Sequence, residues 1–256
     1  TGNKFEFRMP GSAENLSDAN FILNTAVAKE LSDFCSETED AADFECAAAA
    51  WVKKTLNEHR RVIFNGNGYS EAWEVEAERR GLPNRKCTPD AMVALKEPKN
   101  IELMEEFGVL TRTEMLSRYE VEMEHYSKVL NIEARTMLKI ANKQLIPAVT
   151  AYMDDVAGTA ATKMAVNESL STRAEQKLLT KLSQYADEMS DGVDELQKVA
   201  DEVSAMTDET AKAHAYHDVV IPAMAKLRAS ADAAEEICRE DYWPLPCYSR
   251  LLYYTE

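Results

Sequence analysis

The chain has 256 residues, 45% of them hydrophobic, and 29 Lys plus Arg against 45 Asp plus Glu give a formal net charge of −16. That is enough apolar material for a sizeable core, and a surface this acidic repels phosphate backbones and anionic lipid, which excludes nucleic acid and membranes as partners. No apolar run approaches the roughly 18 residues of a membrane span, and no basic-then-apolar leader opens the sequence. Cys35, Cys46, Cys87, Cys238 and Cys247 are odd in number and scattered, as in a chain kept reduced in the cytoplasm. Eight Gly and eight Pro are a low share that favours long helices. The chain opens at Thr1 without Met, so the protein is expected to begin earlier.

Lys4-Phe5-Glu6-Phe7-Arg8 alternates charged and aromatic residues before Pro10-Gly11, which predicts a short strand with all its charge on one face. From Asp18, a candidate cap, the period becomes helical and runs to about Phe34. A second helix is expected from about Asp40 to His59. Asn65-Gly66-Asn67-Gly68-Tyr69 interrupts the pattern, Ser70 caps a helix to about Arg80, and Gly81-Leu82-Pro83 ends it. Thr88-Pro89-Asp90 reads as a cap with Pro in the first turn, and Pro98 keeps that helix short.

Thr111 and Glu114 form a capping box that opens a long apolar ladder from Met115 to Val149, with a bend expected at Pro147. A second ladder runs from Leu178 to Met206 and a third takes Ala213, His217, Val220, Met224, Leu227, Ala231, Ala234 and Cys238. Thr207-Asp208 turns the second back onto the third as a long antiparallel helical hairpin. Leu145-Ile146-Pro147-Ala148-Val149 and Val220-Ile221-Pro222-Ala223-Met224 place their prolines in similar settings, too short to define a repeat. The aromatic, Pro-rich tail from Tyr242 to Tyr248 is expected to dock onto the helices.

Glu6 lies between Lys4 and Arg8, spaced about 6 to 7 Å apart on one strand face. One carboxylate between two cations suits a metal-bound phosphate, and an exposed row of charges on a solvated strand has the same pattern. Lys4 to Gly11, followed by Asp18-Ala19-Asn20 to Ala28, resembles the Arg-x-Glu-x-Arg strand and Ala-Asn helix of the glutamine synthetases, closest to their type III branch. Arg61 to Ser70, Asn131-Ile132-Glu133-Ala134 and Trp243-Pro244-Leu245-Pro246 resemble that branch too, so the resemblance spans essentially the whole chain, as the carboxyl-terminal part of a longer enzyme.

The resemblance implies a mainly α fold: one β-strand and a helix from the end of the catalytic α+β domain (1–35), a region of short helices (36–110), and a long-helix bundle with an aromatic tail (111–256). It implies an ATP-dependent ligase that joins ammonia to glutamate through a γ-glutamyl phosphate, with ATP and Mg2+ (or Mn2+) as cofactors. Glu6 would hold the metal, Arg8 would bind substrate and act in catalysis, and Lys4 would face nucleotide phosphates. Lys4 stands where many members have arginine, which keeps the charge but loses the planar fork. Rings of stacked hexamers, a homo-oligomer in the cytoplasm, are the implied assembly. The remaining metal and nucleotide residues lie upstream in this family, so the chain alone is expected to be inactive. A non-catalytic helical scaffold is the alternative, and it leaves the strand unexplained; a coiled-coil signalling domain accounts only for the last hundred residues.

Four further signals have bland counterparts. Asn65-Gly66-Asn67-Gly68 before a helix can cradle an anion or simply form a tight connection. Glu122-x-x-His125 has metal-bundle spacing but lacks the second copy such sites need. His217 on the third ladder reads as packing, and Cys238 as a small core residue.

Overall fold

The computed structural model describes residues 15–246 and 248–252. The expected strand at Lys4 to Arg8 therefore lies outside the described residues, as does Cys247. Among the described residues every regular element is helical, and no helix is long and apolar enough to cross a membrane. The chain divides into two compact units, up to Glu120 and from Val121.

In the first unit, α1 (Leu16–Thr38) starts at Asn15, whose Oδ1 accepts the Ser17 N–H at 2.8 Å. The cap thus lies three residues before Asp18, which sits in the first turn as a favourable negative charge. Buried Thr25 and Thr38 each donate to the carbonyl four residues back, which leaves neither hydroxyl unsatisfied. Asp43 caps α2 (Phe44–Glu58). Phe34 meets Phe44 and Trp51 edge-on at 6.1 and 5.1 Å and joins the two helices.

Helix α3 (Glu71–Arg79) ends at Gly81, whose φ of +70° lets the Leu82 N–H reach Ala77 O at 2.9 Å. Cys87, not Thr88, occupies the cap position of α4 (Thr88–Met92). Pro98 opens α5 (Pro98–Glu106) after a 3-10 turn, because proline loses nothing in a first turn whose N–H groups lack helical partners. Ile101, Met104 and Met115 form a small core with Phe21, Leu95, Leu110 and Leu116 against it.

The capping box forms as expected: Thr111 N–H donates to Glu114 Oε2 at 2.8 Å and Glu114 N–H to Thr111 Oγ1 at 3.3 Å. It starts α6 (Arg112–Ile140), which passes through a π turn, Ala141–Leu145, into α7 (Ile146–Val166). Pro147 has no N–H to give the preceding turn, and the wider π turn takes the chain past it. The same event recurs where α9 (Glu209–Ala215) passes through the π turn Tyr216–Val220 into α10 (Ile221–Glu235), just before Pro222. The two similar pentapeptides thus share one backbone device.

Helix α8 (Arg173–Ser204) packs on both α7 and α10, so the second unit is two antiparallel hairpins sharing one helix. Asp208 caps α9 through Ala211 N–H at 2.8 Å, and the second turn lies where Thr207-Asp208 predicts. Leu182, Met189, Leu196 and Ala200 of α8 are fully buried with Val149, Val220 and Leu227 in one core. At Gly192 an added Cβ would lie 3.2 Å from Leu227 Cα, so this glycine permits the close approach of α8 and α10.

The third ladder differs in register from the expected one. Tyr216, 1% exposed, takes the position between Ala213 and Val220, while His217 stays half-exposed with Nδ1 2.7 Å from Asp218 Oδ1. A spacing of seven allows either residue on the seam, and the tyrosine buries more apolar surface. The tail docks: Trp243 enters the same core, Tyr242 lies 5.3 Å from Tyr152, and Arg239 covers both rings and pairs with Asp155 at 3.2 Å. Helix α11 (Tyr248–Leu252) follows.

Candidate functional site

Lys4, Glu6 and Arg8 lie outside the described residues. The described segment that sequence singled out most clearly is the loop from Asn65 to Tyr69, and the first unit gives it a foundation.

Phe64 stacks on Trp73 of α3 with ring centroids 4.1 Å apart and planes inclined by 26°. Arg80, at the end of α3, lies over both rings, 6.0 Å from Phe64 and 5.5 Å from Trp73. Its Nη1 donates to the carbonyls of Arg61 and Ile63 at 3.1 and 2.9 Å, and its Nε meets Glu76. One guanidinium thus ties the segment entering the loop to the helix leaving it, using planar donors and a π face that lysine does not have. Hydrogen bonds from Arg79 and then Arg80 hold the Glu76 carboxyl down at about 2. A lowered carboxylate stabilises the fold fully above its unfolded range near 4.5, and this support is lost only as pH falls toward 2.

The loop closes on itself. Asn67 Oδ1 accepts the Tyr69 N–H at 3.1 Å, and Asn67 O accepts both the N–H and the hydroxyl of Ser70, at 3.3 and 2.8 Å. These contacts draw the loop together as a tight connection. Ser70 holds the cap position but turns its hydroxyl back to Asn67 instead of onto the helix. The result is a braced loop that presents Tyr69, 86% exposed, on its outer side.

The two glycines of this loop differ. A Cβ on Gly66 would sit 2.6 Å from the Phe64 ring, whereas a Cβ on Gly68 meets nothing within 4 Å. Gly66→Ala is therefore expected to force the ring off Trp73 and cost about 1–2 kcal/mol, the order of an overpacked contact plus a lost aromatic pair. Gly68→Ala is expected to be near neutral. Trp73 fluorescence and thermal melts of the two variants check this; equal behaviour would contradict the brace.

Glu122 and His125 join no metal-sized cluster of three Cys, His, Asp or Glu among the described residues. Cys238 is buried in the core, and that burial raises its thiol pKa, with a smaller opposing effect from Arg239. Sequence reasoning missed the Arg80 brace. Its trace was there: Trp73, Glu76 and Arg80 recur at helical spacing along one side of α3.

Residues 47–164 match the glutamine synthetase C-terminal domain. A type-3 glutamine synthetase of Dictyostelium discoideum is 31% identical over 99% of this chain. Glutamine synthetases of Butyrivibrio fibrisolvens and Bacteroides fragilis (strain YCH46) are 35% and 26% identical over 79% and 99% of it. The chain spans about a third of the length of these relatives: 35%, 29% and 36% in the order given.

Proposed function

Given that this chain belongs to the glutamine synthetase family, we propose that it is the carboxyl-terminal part of a type III glutamine synthetase, an ATP-dependent glutamate–ammonia ligase. The similarity to such enzymes along 99% of the chain carries the reading. The packing supports it. Leu16, Val27 and Leu31 are all more than half exposed and lie within about 60° of one another around α1, and Phe44 and Leu56 of α2 are as open. A helix pair with so little core of its own suits a place inside a larger assembly.

In the proposed reaction the γ-phosphoryl group of ATP passes to the γ-carboxylate of glutamate, giving γ-glutamyl phosphate and ADP. Ammonia then displaces phosphate and gives up a proton to form glutamine. Negative charge accumulates on the phosphoryl oxygens during transfer. Arg8 would offset that charge and hold the glutamate, and Lys4 would meet nucleotide phosphates. Glu6 would supply one hard oxygen ligand to Mg2+ or Mn2+, which draws charge off the phosphates; the other ligands must come from elsewhere in the enzyme. A cytoplasmic homo-oligomer, with rings of stacked hexamers, completes the proposal.

The test is γ-glutamyl hydroxamate formation. The full-length protein carrying this chain is expected to form it with ATP and Mg2+, and residues 1–256 alone to form none. A full-length protein without ATP-dependent synthesis would overturn the reading, and an active isolated chain would refute its incompleteness.

A further inference from the structure

Beyond the ligase reading, the second unit holds a cleft of about 130 Å3 between α6 and α9, with Ser204 of α8 at its edge. Every side chain around it is polar. The spacing of Glu124, Ser127, Lys128 and Asn131 puts them on one face of α6, and Glu209, Lys212 and Tyr216 share a face from α9 into the second π turn.

The hydrogen bonds already made leave a definite set of groups open. Ser127, 3% exposed, gives its hydroxyl proton to Met123 O at 3.0 Å, and Ser204 gives its own to Asp201 O at 3.0 Å. Both oxygens remain as acceptors. Asn131 Oδ1 accepts Arg135 Nε–H at 3.4 Å, which leaves the Asn131 amide N–H groups as donors. Tyr216 is buried with its ring in the core, yet its hydroxyl makes no hydrogen bond among the described residues. A buried tyrosine hydroxyl normally has a partner, so this one needs an explanation. Among the described residues only one Glu175 oxygen and the Trp243 nitrogen are both unpaired and sealed off, so the Tyr216 oxygen is open to the cleft.

Charge narrows what can enter. Lys128 pairs with Glu124 at 2.7 Å and Lys212 with Glu209 at 2.9 Å, so the walls carry two charges of each sign. A simple anion meets two carboxylates there and a simple cation two ammonium groups, which disfavours both. An apolar molecule would strip water from polar walls and return no hydrogen bond. A ligand with both signs meets neither penalty. Pairs three or four residues apart on a helix face are worth little, so exchanging them for ligand contacts costs little.

We propose that this cleft binds a small zwitterion, an α-amino acid with a short side chain, its carboxylate held by Lys212 and the Tyr216 hydroxyl and its ammonium by Glu124 and the Ser127 oxygen. The proposal does not rest on the ligase reading, and its test reads binding, not turnover.

Radiolabelled glycine is the probe, in equilibrium dialysis against the full-length protein. Saturable binding is expected, and acetate, methylamine and glycerol, which carry one charge or none, should compete at least ten-fold more weakly than unlabelled glycine. Ser204→Trp, which fills the cleft from an exposed position, should abolish binding. Lys212→Met should weaken it at least ten-fold and Tyr216→Phe about five-fold. Thr180→Trp, exposed on α8 and outside the cleft, and Arg8→Ala, on the strand proposed for the ligase site, should leave it unchanged. Thermal melts confirm that each variant is folded. Absence of saturable binding, equal competition by acetate, methylamine or glycerol, or unchanged affinity in both Ser204→Trp and Lys212→Met would overturn the proposal. So would binding that Arg8→Ala abolishes, which would assign the glycine to the ligase site. Loss of hydroxamate synthesis would leave these results untouched, so the two readings fail separately.

Discussion

Gly192→Leu in α8 is expected to lower stability by about 2–4 kcal/mol, the upper range for forcing bulk into a packed core. The position lies on the α10 side of α8, where even a methyl group would come within 3.2 Å of Leu227 Cα and 3.3 Å of its Cβ. Backbone cannot swing aside as a side-chain tip can, so the two helices must separate. Separation would strip contacts from Leu196 and Val220, both fully buried in the same core. Gly192→Ala is the informative control. It gains about 1 kcal/mol of helix propensity and meets mild crowding, so its net effect should stay within about 1 kcal/mol. Thermal unfolding should show a drop of roughly 5–12 °C for leucine and little change for alanine. A leucine variant that melts with the parent would mean that α8 and α10 do not approach closely at this point.

Under the proposed ligase activity, Glu6→Ala in the full-length enzyme is expected to cut hydroxamate formation on the order of 10³-fold, the scale at which loss of one charge-stabilising group acts on a transition state. The argument is electrostatic. Without the carboxylate, the divalent ion would lose an anchoring ligand, and the sequence Lys4 to Arg8 would keep its two cations and lose the one negative charge between them. Glu6→Asp, with the charge kept on a shorter arm, should recover part of the activity, whereas a simple surface charge would show no such ordering. The assembled mass should be unchanged, since one charged side chain on the expected strand would contribute little to packing. Unaltered turnover in Glu6→Ala would refute the metal role.

The long helices were legible because their apolar residues repeat every three or four positions, a spacing that burial alone enforces. Met123, Leu182, Leu196 and Leu227 are buried where the ladders place them. Ambiguity arose where two neighbours both satisfied the spacing, and Tyr216 displaced His217 on the seam. Caps were read to within a few residues: Asn15 for Asp18, Cys87 for Thr88. Proline identity was visible, its consequence less so, since Pro98 opens a helix and Pro147 follows a π turn. The brace beneath the Asn65 to Tyr69 loop was not legible in detail, because Arg80 reaches carbonyls 17 and 19 residues away. Of the candidate site, the strand at Lys4, Glu6 and Arg8 is an expectation from the charge pattern and its roles an expectation from family resemblance, and these residues lie outside the described ones.

The paired π turns have a consequence for how this bundle can change over time. A π turn holds one residue more than the α turn it replaces, so it advances the phase of every side chain beyond it. Val149 and Val156 after one turn, and Leu227 and Ala234 after the other, are buried in a phase set by that surplus residue. Deleting the extra residue alone would rotate the downstream helix by about 100° and carry polar positions inward. The device occurs twice, on the two helical runs that share α8, so a one-residue deletion in either run is expected to misplace the core face of the helix beyond it.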